Sequence, residues 1–145
     1  MSEERTDAVQ IESSFTQEAS EWNTRIVITR DGAEIAWLNG TIGPLSMLEK
    51  FHRRRREARD FLEGAKRIAY LSRLRCAHSD RRRGFASRLI EAFCTQSAQR
   101  KASICLLDVD AENTRYLIGF YQRRGFVLLA PETRFNTAFM GRRLA

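Results

Sequence analysis

An apolar run, Ile68-Ala69-Tyr70-Leu71 continuing through Leu74 and Cys76, gives way at Asp80-Arg81-Arg82-Arg83-Gly84 to a segment whose apolar residues recur at helical spacing. The run is apolar on much of both faces, which predicts a strand inside a sheet rather than at its edge. The segment after it, from about Arg81 to Arg100, has an inner stripe of Ala86, Leu89, Ile90, Phe93 and Ser97, with Ser79 or Asp80 available as its cap. A strand that turns through glycine into a helix leaves a helix N-terminus, where unpaired N–H groups and the positive dipole end attract anions. Gly84 has no Cβ to keep a ligand off the backbone. Arg81, Arg82 and Arg83 add charge that matches phosphate oxygens. Together these residues read as a cradle for a pyrophosphate.

The flanking chain predicts what surrounds that unit. Val9, Ile11, Ser13 and Phe15 alternate with polar residues, which predicts a strand with one wet face. Ile26–Thr29 and Glu34–Leu38 flank Asp31-Gly32, a strong hairpin signal, and Gly40, Gly43 and Pro44 close that unit. Leu45 to Ala65 reads as a helix, with Leu48, Phe51, Ala58 and Leu62 on one face and Gly64 as its stop. Ser103–Val109 is a buried strand, Asn113–Arg124 a helix stopped by Gly125, and Phe126–Ala130 and Thr137–Leu144 two closing strands around Pro131. Strands alternate with helices in the middle of the chain, so a mixed α/β sheet is expected. With 145 residues and no linker or repeat, one domain over 1–145 is expected, with residues 1–7 flexible.

No apolar run approaches the roughly 20 residues a membrane span needs, so no membrane partner is expected. Cys76, Cys94 and Cys105 are odd in number, lie in apolar surroundings and match no zinc spacing, so they read as reduced and the location as cytoplasmic. The net charge of +7 favours anionic partners. The run His52 to Arg56 reads as a solvated helix face paired with Glu49, Glu57 and Asp60. It has no interleaved aromatics for base stacking, so nucleic acid is not the favoured partner.

Leu74–Leu89, L-R-C-A-H-S-D-R-R-R-G-F-A-S-R-L, resembles the acetyl-CoA motif of the GNAT superfamily of N-acetyltransferases, with Arg81, Gly84 and Ala86 at its three defining positions and Cys76 where the strand ends. Val109, Asn113, Tyr121, Gly125 and Phe126 are similar to the family's second motif, a strand followed by an Asn and a helix ending Tyr-x-x-x-Gly-Phe. The two motifs span Ile68 to Phe126. The family places one or two helices between its first two strands, whereas here the long helix follows a hairpin.

The resemblance implies a GNAT-like fold: a central, mostly antiparallel sheet of about seven strands flanked by helices, with two splayed central strands. It implies an acyltransferase whose cosubstrate is acetyl-CoA. The pyrophosphate would lie on backbone N–H groups from Arg82 through Phe85 to Ala86, beside Arg81 and Arg83. The pantetheine arm would run along Leu74, Arg75 and Cys76, and Asn113 and Tyr121 would also contact the cofactor. An amine would attack the thioester directly, and Tyr121 would stand as general acid for the leaving thiolate. Ile68 to Cys76 contains no acidic residue, so the base is left open among His78, Asp108, Glu34 and no dedicated base at all. The acceptor is also left open among small-molecule amines, protein or peptide amines and an aminoacyl group on RNA, as is a homodimer through the C-terminal strands or the 45–65 helix. The competing readings are a silent CoA- or partner-binding module and a small basic nucleic-acid-binding protein.

Overall fold

The computed structural model describes residues 9–51, 58–76, 84–110, 114–130 and 137–144. Seven strands form one sheet: β1 (Gln10–Glu18), β2 (Glu21–Arg30), β3 (Ala33–Pro44), β4 (Arg67–Cys76), β5 (Ile104–Asp110), β6 (Val127–Ala130) and β7 (Thr137–Arg143), in the order β1-β2-β3-β4-β5-β7-β6. Every neighbouring pair is antiparallel except β4 with β5, which is parallel. A parallel pair needs a crossover. Here it is α2 (Phe85–Gln99), preceded in the chain by a 3-10 helix (Leu45–Phe51) and α1 (Arg59–Leu62), and followed by α3 (Thr114–Gln122). This is the mixed sheet the sequence predicts.

Local chemistry fixes the turns. Asp31 and Gly32 both take positive φ, 53° and 80°, so Arg30 and Ala33 pair across a two-residue loop whose twist suits a hairpin. The β1–β2 turn is equally tight, with Glu18 opposite Glu21 and Ala19 at φ 56°. No glycine marks it, which is why the sequence gives no sign of a hairpin there.

Three expectations are corrected. The segment from Leu45 to Ala65 is not one α-helix. It opens as a 3-10 helix, where side chains three apart eclipse, and Leu45 and Leu48 pack into the same cluster. The Leu45 N–H bonds the Lys66 carbonyl at 2.8 Å, which ties its start to the start of β4. Among the described residues of this segment only Arg59–Leu62 is α-helical; residues 52–57, which include the run His52 to Arg56, lie outside them. Second, β1 does not have one buried face: Phe15 alone is half-buried, beneath Arg100 at 3.6 Å and edge-on to Trp22 at 6.3 Å, because an edge strand has a neighbour on one side only. Third, α2 begins at Phe85, not near Arg81, and Gly84 at φ 82° is its cap, with no side-chain hydrogen bond. A left-handed residue cannot belong to a right-handed helix. Ser79 and Asp80, the expected caps, lie outside the described residues.

Two apolar clusters sandwich the sheet. One packs α2 and α3 on Ile26, Ile28, Leu38, Ala69, Leu71, Cys105, Leu107 and Val109. The other packs the 3-10 helix and α1 on Ile68, Ile104, Leu106 and Phe139. Phe93 is fully buried at the centre of the first. Its ring rests on the backbone of Gly40, where a Cβ would sit 2.3 Å from the ring. Gly40→Ala is therefore expected to destabilise the fold by about 1–3 kcal/mol through overpacking. Urea denaturation checks this, and adding Phe93→Leu should recover part of the loss.

Candidate functional site

The β4–β5 ladder pairs Ile68–Leu71 with Ile104–Leu107 and then stops. Both strands continue on their outer sides: β4 stays paired with β3 as far as Cys76 opposite Ala36, and β5 with β7 as far as Asp110 opposite Thr137. Ser72–Cys76 and Asp108–Asp110 thus diverge as the arms of a fork. The cause is local. Asn39 pairs with Arg73 but the next residue, Gly40, pairs with Leu71, so Ser72 is an extra residue in β4. Such a bulge bends its strand and increases the twist. It also rephases the side chains: Leu71 is buried on the α2 side, and beyond the bulge Leu74 and Cys76 pack toward that same cluster. Among the described residues, no strand pairs with the inner side of either arm beyond Leu71 and Leu107.

The start of α2 lies just beyond β4 in the chain. Gly84 is exposed, a Cβ on it would meet no atom within 4 Å, and the first turn contains no acidic residue. The helix N-terminus is thus open for an anion. Phe85 is buried and Ala86 half-buried. Arg124 ties α3 to this turn: its Nε donates to Ser87 Oγ at 2.6 Å, its Nη1 to the Phe120 carbonyl at 2.8 Å, and its guanidinium lies 3.8 Å over the Phe120 ring. Sequence inspection does not single out Arg124 from its neighbour Arg123. Only the fold shows which of the two turns inward.

Tyr121 is set by the end of α3. The Phe126 N–H bonds the Tyr121 carbonyl at 3.1 Å, and the Gly125 N–H bonds the Gln122 carbonyl at 3.1 Å, with Gly125 at φ 90°. This is a glycine-closed helix terminus, and its hydrophobic contact is Phe126 against Tyr121, edge to face at 5.6 Å. The Tyr-x-x-x-Gly-Phe spacing therefore has a mechanical meaning: glycine reverses the chain so that the phenylalanine clamps the tyrosine. Tyr121 is 8% exposed. Burial, with Cys105 nearby, pushes its hydroxyl up to about 12, and Arg124 opposes this. Beneath it the Cys105 thiol donates to Cys94, which holds Cys105 well above the ordinary thiol range and lowers Cys94.

The structure brings Leu74, Arg75, Cys76, Gly84, Phe85 and Ala86 to the open end of β4 and the start of α2, and places Tyr121 on the face of the sheet that α2 covers. Arg75 is exposed, one place out of phase with Leu74 and Cys76, and pairs across the sheet with Trp37. Arg81, Arg82, Arg83, His78 and Asn113 lie outside the described residues. Of the proton acceptors left open, Glu34 sits by the β2–β3 turn and is held by Arg25 at 2.9 Å. Asp108 is the first β5 residue past the last rung of the ladder, where it accepts from the Tyr70 hydroxyl at 2.7 Å. No helix among the described residues is long and apolar enough to cross a membrane.

Comparison with known proteins gives the same picture. A family model described as an acetyltransferase (GNAT) domain matches residues 53–139, more than half of the chain. No protein of curated function matches the sequence. Solved structures share the fold. Ard1 from Thermoplasma volcanium is 20% identical over 83% of this chain and 70% of its own, with a TM-score of 0.59. A bacterial toxin is 21% identical over 84% and 68%, with a TM-score of 0.64. The NatC complex bound to Gag peptide and CoA is 13% identical over 83% and 71%, with a TM-score of 0.62.

The buried Tyr121 makes stability depend on alkaline pH. A folded-state pKa of about 12 against an ordinary 10 favours the neutral phenol. Its contribution is intact below pH 10 and is lost as pH rises from 10 toward 12, reaching about 3 kcal/mol. Urea titrations at pH 9 to 11.5 should show this decline in the wild type and a shallower one in Tyr121→Phe.

Proposed function

The chain belongs to the GNAT acetyltransferase family and is an acyltransferase, and on that premise we propose that it moves acetyl from acetyl-CoA to a primary amine by direct attack. The observation that carries this reading is the fork: a ladder that stops after Leu71 and Leu107 beside a helix that starts from the exposed Gly84. An extended amide-bearing arm can enter the gap between the two arms of the fork and lie along them like an added strand. The pantetheine of acetyl-CoA is such an arm, and a fold neighbour holds CoA together with a peptide.

The roles follow from the chain's own groups. Backbone N–H groups of Phe85 and Ala86, with Arg82, Arg83 and Gly84 before them, receive the pyrophosphate, and Arg81 adds charge. Leu74, Arg75 and Cys76 offer their backbone to the pantetheine, and an N–H near Cys76 polarises the thioester carbonyl. Asn113 contacts the cosubstrate from the start of α3. The amine adds to that carbonyl, the C–S bond breaks, and Tyr121 protonates the sulfur. Its high pKa keeps the phenol charged with its proton at every working pH.

Thermal shift tests the donor: acetyl-CoA and CoA should raise the melting temperature, and ATP should not. Gly84→Glu places a carboxylate against the pyrophosphate and should abolish binding of acetyl-CoA. Turnover is measured as thiol release with free lysine, spermidine and a short peptide with a free N-terminus as acceptors. Tyr121→Phe should lower kcat about 100-fold while acetyl-CoA affinity stays within threefold. Equal turnover of the two proteins removes the acid role. Absence of turnover with every amine, alongside intact CoA binding, leaves the silent module.

A further inference from the structure

We propose that Asp108, held in place by Tyr70, is the group that takes the proton from the acceptor amine, working from the face of the sheet opposite to Tyr121. This rests on the amine-transfer reading above and assigns the base that β4 does not supply.

Position comes first. Leu107 makes the last rung with Leu71, so Asp108 stands at the apex of the fork, the point where the two arms separate. Alternation then sorts the faces. Cys105, Leu107 and Val109 belong to the cluster under α2 and α3, which also holds Tyr121. Ile104 and Leu106 belong to the opposite cluster, against which Tyr70 packs, and Asp108 continues their phase. Acid and base therefore stand on opposite faces of one sheet.

Orientation comes second. Tyr70 lies on β4 and Asp108 on β5, and the 2.7 Å bond from the Tyr70 hydroxyl to Oδ2 spans the two strands at the fork. A hydrogen bond to an ionised carboxylate is short and directional, so it fixes the plane of the group. Asp108 is half-buried, which keeps it near the fork rather than swinging in solvent. Charge comes third. In a chain of net charge +7, a carboxylate at the apex is a local sink for an ammonium ion.

The proton balance closes. The ammonium gives one proton to the Asp108 carboxylate, which passes it to solvent, and the freed lone pair forms the N–C bond. As the C–S bond breaks, its electron pair goes to sulfur, which takes the Tyr121 proton. The second amine proton, released to solvent from the adduct, is replaced on Tyr121 from solvent. The products are the amide, the free thiol and one net proton.

The test uses the full chain, acetyl-CoA, and whichever of free lysine, spermidine or the short peptide the wild type acetylates fastest. Asp108→Asn is expected to lower kcat/KM about 100-fold at pH 7, and the deficit should shrink as pH rises past the pKa of the amine, which then arrives deprotonated. Acetyl-CoA affinity, read by calorimetry, should stay within threefold. Asp108→Ala should be partly rescued by added formate, and Tyr70→Phe should lose about tenfold with the same pH trend. A deficit constant with pH, or no formate rescue, overturns the assignment in favour of a structural bond. If Asp108→Asn does not fold, the pH trend of Tyr70→Phe decides, and a flat trend overturns it. A wild type that acetylates no amine defeats the broader reading, whereas an active wild type matched by Asp108→Asn at every pH defeats only this one.

Discussion

Four rungs of parallel pairing between β4 and β5, and their abrupt end, govern the rest of the molecule. Beyond the last rung the outer ladders, β3 with β4 and β5 with β7, run on and hold the two arms in place. The single extra residue at Ser72 changes the direction of β4 without breaking its bond to β3. A continuous ladder over the same residues would have left a flat sheet with nowhere for an acyl donor to enter.

The two motifs have physical content beyond their pattern. Gly84 favours glycine because its φ of 82° starts a helix from the left-handed region, which side chains with a Cβ rarely adopt. Gly125 has to be glycine because its φ of 90° reverses the chain and brings Phe126 onto Tyr121. One glycine opens a helix end and the other closes one. The stop at Gly125 is legible in the sequence because glycine just past a helix has few other uses, whereas Gly84 reads there as room for a ligand and its place as the helix cap is not legible. The Asp31-Gly32 turn and the central placement of β4 were legible for similar reasons: a specific backbone geometry, and an apolar run with no polar phase.

Other features were hidden in the sequence. The Ser72 bulge has no compositional mark, since serine is ordinary in a strand; only the register between Asn39 and Gly40 shows it. The 3-10 start at Leu45 looks like an α-helix because apolar residues three apart fit either period. The exposure of β1 depends on its place at the edge, which is a property of topology rather than of its alternating residues. Asp108 was one carboxylate among several until the ladder showed that it sits one step past the last rung, and Arg124 was one arginine of a pair until α3 turned it toward Ser87.

Arg100 follows the last residue of α2 and is stacked 3.6 Å over Phe15 and 5.1 Å over Trp22, while Gln96 one turn earlier reaches Ser13 at 2.6 Å. The helix is thus moored at its tail to the N-terminal hairpin. Its first turn is moored as well, through Ser87 to Arg124 and through Phe85, which is buried beneath Arg30. A rod fixed near both ends keeps its tip where it is. An incoming anion therefore meets N–H groups that are already aimed, and little has to be gathered on arrival.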